Sequence, residues 1–333
     1  MSKSATESPI KRSVPTGDGV YSDAQLLLAA RLYYVDGILQ NQIAKMVGVS
    51  QAKVSRMLAV ARDRGLVRIT VPEYEPRDRE LETQLTTHLP LKSAIVIRKV
   101  AGQSVADLRN TLGYFAGPIV AASLAPYSTL AVAGGRTLQA LTDAMSRAPG
   151  PVRPVVVQAM GNVDSTPGGY DASEIARTLA QPWGGVYLTL NTPAFVPSAA
   201  VGKQLLGLKD TQSVFERLAA AETALVGVGN LQNSVFIERG VLQPKDIQEL
   251  HRAGAVGEIL GRFYDENGEE CQTTYRQRVM SLPLEQLRAI PNVVVAIAGA
   301  DRTAAIRGAL RGGVIKSLVI DDDGARALLA AGG

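Results

Sequence analysis

Seven short apolar runs in the last two thirds of the chain constrain its fold more than any other feature. They occupy residues 94–97, 129–133, 154–157, 186–190, 224–228, 293–298 and 317–320, and stretches of helical periodicity separate them. A strand that is apolar along its whole length is buried on both faces. Such strands alternating with helices form a parallel sheet between helical layers. The expectation is a Rossmann-like α/β domain over residues 91–333. With 46% hydrophobic and 20% charged residues, the chain has the balance needed to bury a core of that size.

The 333 residues exceed what one such domain needs, so a second domain is expected at the N-terminus. Residues 1–19 are rich in Ser, Pro, Thr and Gly, carry Lys3, Lys11 and Arg12, and lack an apolar core. They read as a disordered arm rather than a signal peptide or membrane anchor. Residues 20–72 read as a winged helix-turn-helix. Ser22 and Asp23 are placed to cap a first helix carrying Leu26, Leu27, Ala30, Leu32, Tyr33 and Tyr34, which Gly37 ends. A short second helix covers 41–46. Gly48 permits the tight turn, Val49 plugs the core, and Ser50 caps a third helix over 51–64 that buries Val54, Leu58 and Ala61. Gly65 closes that helix, and 66–71 has the strand character of a small wing. Residues 73–90 read as a linker whose helix, 77–89, places Leu81, Leu85 and Leu89 four apart, a stripe available to a partner subunit.

The third helix carries the chemistry of DNA recognition. Between Ser50 and Arg68 lie Lys53, Arg56, Arg62, Arg64 and Arg68 against one acid, Asp63, a surplus equal to the formal charge of +4 of the entire chain. A local basic patch is the electrostatic footprint of a polyanion partner. The exposed positions Gln51, Ala52, Lys53, Ser55 and Arg56 would enter the major groove, Gln toward adenine and Arg or Lys toward guanine. Ser50 and Ser55 suit phosphates, and Arg62, Arg64 and Arg68 would follow the backbone or an adjacent groove. The bland reading, a three-helix packing unit with a solvated basic face, is outweighed because turn, helix lengths, charge and wing agree.

The segment AARLYYVDGILQNQIAKMVGVSQAKVSRML closely resembles the DNA-binding domain of the SorC family of transcriptional regulators. Three further blocks resemble that family's effector domain: LAVAGGRTLQAL, its strand–glycine–helix loop; GAVGEILGRFYDENG, its glycine-rich strand and hairpin; and VVAIAGADRTAAIRGALRGGVIKSLVIDD, its closing segment. The resemblance runs from about Ser22 to the C-terminus. It implies an effector domain similar in fold to sugar-phosphate isomerases and deaminases. It also implies an oligomer, a dimer or tetramer, that binds double-stranded operator DNA under the control of a sugar or sugar phosphate.

The effector site is expected at the strand C-termini, where open α/β sheets bind ligands. Gly134, Gly135, Arg136 and Thr137 follow a strand and open a helix, an arrangement suited to an anion because glycines admit close backbone approach and the helix N-terminus is positive. Many relatives carry a small hydroxyl residue where Arg136 stands, and Lys near Thr303, so the phosphate geometry here departs from the family's. Gln158, Gly161 and Asn162 follow the third strand. Asp171 and Ser173 open the next helix, Ser173 as its cap. Glu258 lies where the family often places an acidic ligand contact, and Gly299 and Asp301 follow the strand that ends at Ala298.

Other chemistries find no support. No phosphate-binding G-x-x-x-x-G-K-[ST] sequence exists, and Gly227-Val-Gly229 lacks the third glycine of a dinucleotide fingerprint. The Asp265–Gly268 stretch reads as a hairpin turn rather than a calcium loop, and Asp321-Asp322-Asp323 as a helix cap rather than a metal site. One cysteine, Cys271, excludes an intramolecular disulfide and a cysteine zinc site, and suits a reducing cytoplasm. No cofactor, metal or catalytic residue is expected. A sugar-phosphate isomerase or deaminase bearing a DNA-binding domain, and an architectural nucleic-acid protein without effector, remain alternatives.

Overall fold

The structure is a computed structural model and describes residues 21–151, 153–163, 168–232 and 234–331. The arm expected over 1–19 lies outside the described residues. The chain divides into two compact units between Tyr74 and Glu75.

The first unit packs three helices, α1 (Asp23–Ala30), α2 (Gln40–Met46) and α3 (Gln51–Asp63), around Leu26, Ala29, Ile43, Ala44, Val54, Met57, Leu58 and Ala61. Local chemistry fixes each boundary. Ser22 and Gln25 form a reciprocal capping box, Gln25 N–H donating to Ser22 Oγ at 3.3 Å and Ser22 N–H to Gln25 Oε1 at 3.0 Å. A π-helical turn, Arg31–Val35, extends α1. Gly48 has φ +67°, which reverses the chain between α2 and α3 and lets Val49 N–H reach Ala44 O at 3.0 Å. Ser50 Oγ then accepts from Lys53 N–H at 3.2 Å and caps α3. The expected wing is absent. Leu66 and Val67 fold back onto the core, but 66–74 forms no strand, and Ile69 and Val71 are exposed. Alternating β-branched residues give strand character, yet a strand needs a paired neighbour, and no segment of this unit's described residues supplies one.

The second unit begins with α4 (Arg79–His88), β1 (Ser93–Ile97), α5 (Val105–Ala122), β2 (Thr129–Val132), α6 (Arg136–Met145), β3 (Val155–Gln158) and α7 (Ala172–Ala180). It continues through β4 (Val186–Leu188), α8 (Ala199–Leu206), α9 (Lys209–Ala219), β5 (Thr223–Val226), α10 (Val235–Glu238) and α11 (Pro244–Arg252). It ends with β6 (Gly257–Ile259), β7 (Arg262–Tyr264), α12 (Leu284–Ala289), β8 (Asn292–Ala296), α13 (Thr303–Arg311), β9 (Ser317–Asp321) and α14 (Asp322–Ala330). All seven predicted apolar runs are strands of one sheet in the order β1-β9-β8-β5-β2-β3-β4, every pairing parallel. The domain is therefore the expected α/β sandwich. β6 and β7 pair separately as an antiparallel hairpin.

Two packing details matter for function. The helix read as a linker with a leucine stripe available to a partner subunit packs into the second unit: Leu81 and Leu85 are buried in that unit's core. Arg77 holds Glu82 side-on through Nε–H and Nη2–H, at 2.7 and 2.8 Å, while Glu82 Oε1 accepts Val96 N–H at 3.0 Å, so the carboxylate ties α4 to β1. The second detail is the contact of α5 with α6. A Cβ on Gly113 would lie 2.3 Å from Ala140 O, and one on Gly117 would lie 2.7 Å from Ala144 Cβ. Only glycine allows helices this close, and the matched spacing runs the two helices in the same direction.

Candidate functional site

On the first unit, the surface of α3 opposite its buried seam is polar. Gln51, Ala52, Ser55, Arg56 and Arg62 are exposed, as is Arg68 beyond the helix. Lys53 is half-buried with its Nζ 5.7 Å from the Tyr21 ring centroid. Ser50 is committed as the cap. Arg64, expected to follow a DNA backbone, turns onto α1 instead: it donates to Asp23 Oδ1 at 3.0 Å and Tyr21 O at 3.3 Å, bracing α3 against the first helix. Gln51, Ala52, Ser55 and Arg56 cluster in the N-terminal half of α3, with Arg62 in its last turn and Arg68 beyond it also open to an outside partner.

On the second unit, the sheet order dictates where a cleft opens. From β2 the chain steps outward through β3 to β4, then returns to β5 on the other side of β2 and proceeds to β8 and β9. The loops after β2 and β5 leave in opposite directions, and the crevice between them is the favoured ligand position of such folds. A cleft with about 1060 Å³ of free space, part of it open to solvent, lies there. Its walls are Ala133–Leu138 after β2, Met160–Val163 after β3, Gly227–Gly229 after β5, and Ala296, Ile297 and Arg302 at the end of β8. Tyr170, Asp171, Phe236, Glu238, Arg239, Glu258 and Leu260 complete the lining, with Arg109 entering from α5.

The glycine loop is shaped by its neighbours. A Cβ on Gly134 would meet Tyr170 O at 2.9 Å, and Gly135 holds φ +146° while donating its N–H to Tyr170 O at 2.7 Å. The N–H of Gly135 is thus committed. The next ones belong to the first turn of α6, whose N-terminus has no side-chain cap. Arg136 donates to Glu238 Oε1 at 2.6 Å, and Arg239 to Asp171 Oδ1 at 3.3 Å. Tyr170 lies between them, its ring centroid 5.5 Å from the Arg136 guanidinium carbon and 5.0 Å from that of Arg239. The bond to Glu238 is the main reason the Arg136 guanidinium holds its proton more firmly than usual.

Glu258 faces the cleft from the β6–β7 hairpin. Its backbone exchanges two 2.9 Å hydrogen bonds with Gly229, and its Oε1 accepts Gly261 N–H at 2.5 Å. Burial pushes its carboxyl up to about 7, with the Gly261 bond opposing. The hairpin is pinned by Arg262, which donates to Leu282 O at 3.1 Å, Ser281 O at 2.9 Å and Glu270 at 2.8 Å.

The structure brings Gly134, Gly135, Arg136, Thr137, Gly161, Asp171 and Glu258 around this cleft, and leaves Gln158, Gly299 and Asp301 off its surface. Gln158 is fully buried. Its Nε2 donates to Met160 O at 2.7 Å and Asn162 Oδ1 at 2.9 Å, and its Oε1 accepts Leu190 N–H at 2.9 Å, so it shapes the loop that lines the cleft. Gly299 gives its N–H to Asp321 Oδ2 at 2.5 Å, and Asp301 holds Arg302 at 2.9 Å. Asp321 also caps α14, as the triple-aspartate reading required. Asp171, not Ser173, occupies the cap position of α7, with its carboxylate spent on Gly168 N–H and Arg239. Sequence reasoning missed Arg109, Tyr170, Glu238 and Arg239. The matched glycines of α5 were the available signal for Arg109.

Among the described residues no group of His, Cys, Asp and Glu is arranged to hold a metal ion, and no helix is long and apolar enough to cross a membrane. Residues 76–330 match the family described as "Putative sugar-binding domain". The chain is 30% identical over 321 residues to the "Uncharacterized transcriptional regulator YjhU" of Escherichia coli K12, covering 95% of this chain and 97% of that one. It is 28% identical over 328 residues to the transcriptional regulator LsrR of the same strain, covering 96% and 99%. Its fold matches the full-length sorbitol operon regulator SorC of Klebsiella pneumoniae with a TM-score of 0.72 at 22% identity, over 93% of this chain and 99% of that one. With this family match over most of its length and a regulator relative at 30% identity along almost the entire chain, the chain belongs to the SorC family of sugar-binding transcriptional regulators.

Proposed function

We propose that the protein is an operator-binding regulator, acting as a dimer or tetramer on double-stranded DNA, whose affinity is set by a small phosphorylated sugar or polyol in the cleft of its second unit. The observation that carries this reading is the pairing, in one chain, of an exposed polar α3 face with an arginine-rich cleft at the C-terminal ends of β2, β3, β5 and β8. Gln51, Ala52, Lys53, Ser55 and Arg56 read base edges, and Arg62 and Arg68 contact phosphates. Ser50 and Arg64 hold α3 in position. A dimer offers two copies of α3 to half-sites one helical turn, or a multiple of it, apart.

In the cleft, the uncapped start of α6 with Arg136 and Thr137 faces the anionic end of the effector, where amide groups and the helix dipole favour negative charge. Glu258, Gly161 and Asp171 take its hydroxyl-bearing part. Gln158, Gly299 and Asp301 act one layer out, through Asn162, Asp321 and Arg302. No histidine lines this cleft, and of its three carboxylates Glu238 and Asp171 are held in ion pairs by Arg136 and Arg239, which leaves Glu258 without a second free acid or base for enolisation, so a binding role fits the lining better than an isomerase or deaminase.

The test is selection of binding sites from random duplexes by the purified protein, then footprinting with a panel of sugar phosphates and the matching free sugars. The expected result is a two-fold symmetric footprint whose affinity one phosphorylated compound alters. A folded protein that selects no sequence, or one that converts a panel compound to its isomer, would overturn the reading.

A further inference from the structure

The cleft holds four arginines, and three have their charge met nearby: Arg136 by Glu238, Arg239 by Asp171 and Arg302 by Asp301. The fourth, Arg109, is half-buried and has no hydrogen-bond or ion-pair partner among the described residues. Its position follows from the packing of α5 on α6. Gly117 abuts Ala144 and Gly113 abuts Ala140. One turn back along each helix, the same register brings Arg109 beside Arg136, at the open N-terminus of α6. A desolvated cation without an anion is costly to keep. Here the strain is explicit: loss of water, then the charges of Arg136 and Arg302, loosen the hold of the Arg109 guanidinium on its proton, with Asp301 only partly offsetting them.

We propose that Arg109 is the residue that selects an anionic effector: its guanidinium takes the phosphate of the ligand, together with the first-turn amides of α6, while Arg136 stays bound to Glu238. This rests on the reading of the cleft as the effector site and adds the residue that sets ligand charge. The remaining balance agrees with it. The three paired arginines are neutralised by their acids, and Glu258, its carboxyl pushed up to about 7 by burial, carries only part of its charge near neutral pH. That leaves one uncompensated cation and therefore a site for one acidic group. Arg109 can offer a planar fork to two oxygens of that group, a geometry suited to phosphate.

The experiment uses the full chain, and inorganic phosphate as the probe. Thermal midpoints of the wild type, Arg109→Gln and Arg109→Lys are followed through a phosphate titration, with chloride at matched ionic strength as reference. The wild type should rise with phosphate. Arg109→Gln should need roughly ten- to a hundred-fold more phosphate for the same rise, as expected for losing a charged hydrogen-bonding partner, and Arg109→Lys should fall between. Without phosphate, Arg109→Gln should melt at or above the wild-type temperature, because the substitution relieves like-charge repulsion. A residue serving only to hold α5 in place would lower it. Arg109→Gln with wild-type phosphate affinity would overturn the role of Arg109 and leave the effector cleft intact. If phosphate leaves the wild type unmoved while a neutral sugar or polyol stabilises it, the anionic selection falls and the sugar site stands. If no sugar, polyol or phosphate stabilises the wild type, both fall together.

Discussion

Glu258→Gln is the sharpest single test of the electrostatics of the cleft. In the folded protein, burial raises the carboxyl from its ordinary 4.5 to about 7. An acid whose folded value is raised loses its proton later in the folded chain than in the unfolded one. Between about pH 4.5 and 7 the folded state binds more protons, so this group's contribution to stability falls as pH rises through that window, and stays low above it. Taken whole, the difference amounts to roughly 3 kcal/mol. The side chain is only half-buried and borders a cleft partly open to solvent, so screening cuts the figure to roughly 1–2 kcal/mol. Gln keeps the shape, and its amide nitrogen or oxygen can still meet Gly261 or a sugar hydroxyl, but it cannot ionise. The expected outcome is a ligand-free protein more stable than wild type by roughly 1–2 kcal/mol at pH 8 and equal to it at pH 4.5–5. Urea denaturation of both proteins at four or five pH values, with unfolding of the second unit followed through Trp183, checks this. A parallel pair of stability curves, or a Glu258→Gln protein less stable at pH 8, would refute the argument that the ionised carboxylate is desolvated.

Three further outcomes follow from the geometry. Arg56→Ala should weaken operator binding by about 1–3 kcal/mol with relaxed preference at one base pair if it reads a base, or evenly with a reduced salt slope if it contacts phosphate; unchanged affinity across salt would remove Arg56 from the interface. Gly135→Val should abolish the effector response and keep operator binding, because the new side chain projects into the cleft from a residue at φ +146°, with only Leu138 Cδ1, at 3.9 Å, near its Cβ; a folded variant of unchanged effector affinity, with fold checked by circular dichroism, would place the ligand elsewhere. Gly113→Ala should cost about 1–3 kcal/mol of second-unit stability, since its Cβ would press on Ala140 O and part α5 from α6; a wild-type denaturation midpoint would mean that the helix contact yields freely.

The sheet was legible because its strands are continuous apolar runs bounded by polar segments, a signal carried within four to six residues. The three-helix unit was legible for a similar reason: Ser22, Gly48 and Ser50 each do their work within four residues of their own position. What the sequence left hidden depends on distant partners. The run 66–71 alternates like a strand, but pairing is a property of two segments, and no second one pairs with it among the described residues. Arg64 looked like any cation at the end of a basic helix until folding brought Asp23 under it. Arg109 lies between Leu108 and Leu112 in what reads as an ordinary amphipathic helix. Only the close register of Gly113 and Gly117 against α6 turns it into the cleft. The glycine loop was found because it follows its strand directly. Hidden from the sequence was the commitment of the Gly135 N–H to Tyr170 O, which leaves only the amides of the first turn of α6 open.

The claim that binds these parts together is that the cleft controls the DNA-reading helix, and a closed thermodynamic cycle tests it most directly. The panel compound that stabilises the protein is titrated with and without operator, and operator is titrated with and without that compound, at one salt concentration. Linkage requires the two ratios to be equal, because each ligand must change the other's affinity by the same factor. The account expects a coupling of about 1–3 kcal/mol, read identically from both sides of the cycle. Equal affinities with and without the second ligand would contradict it: the cleft would then bind its sugar without governing operator affinity, and regulation would have to act at a step after DNA binding.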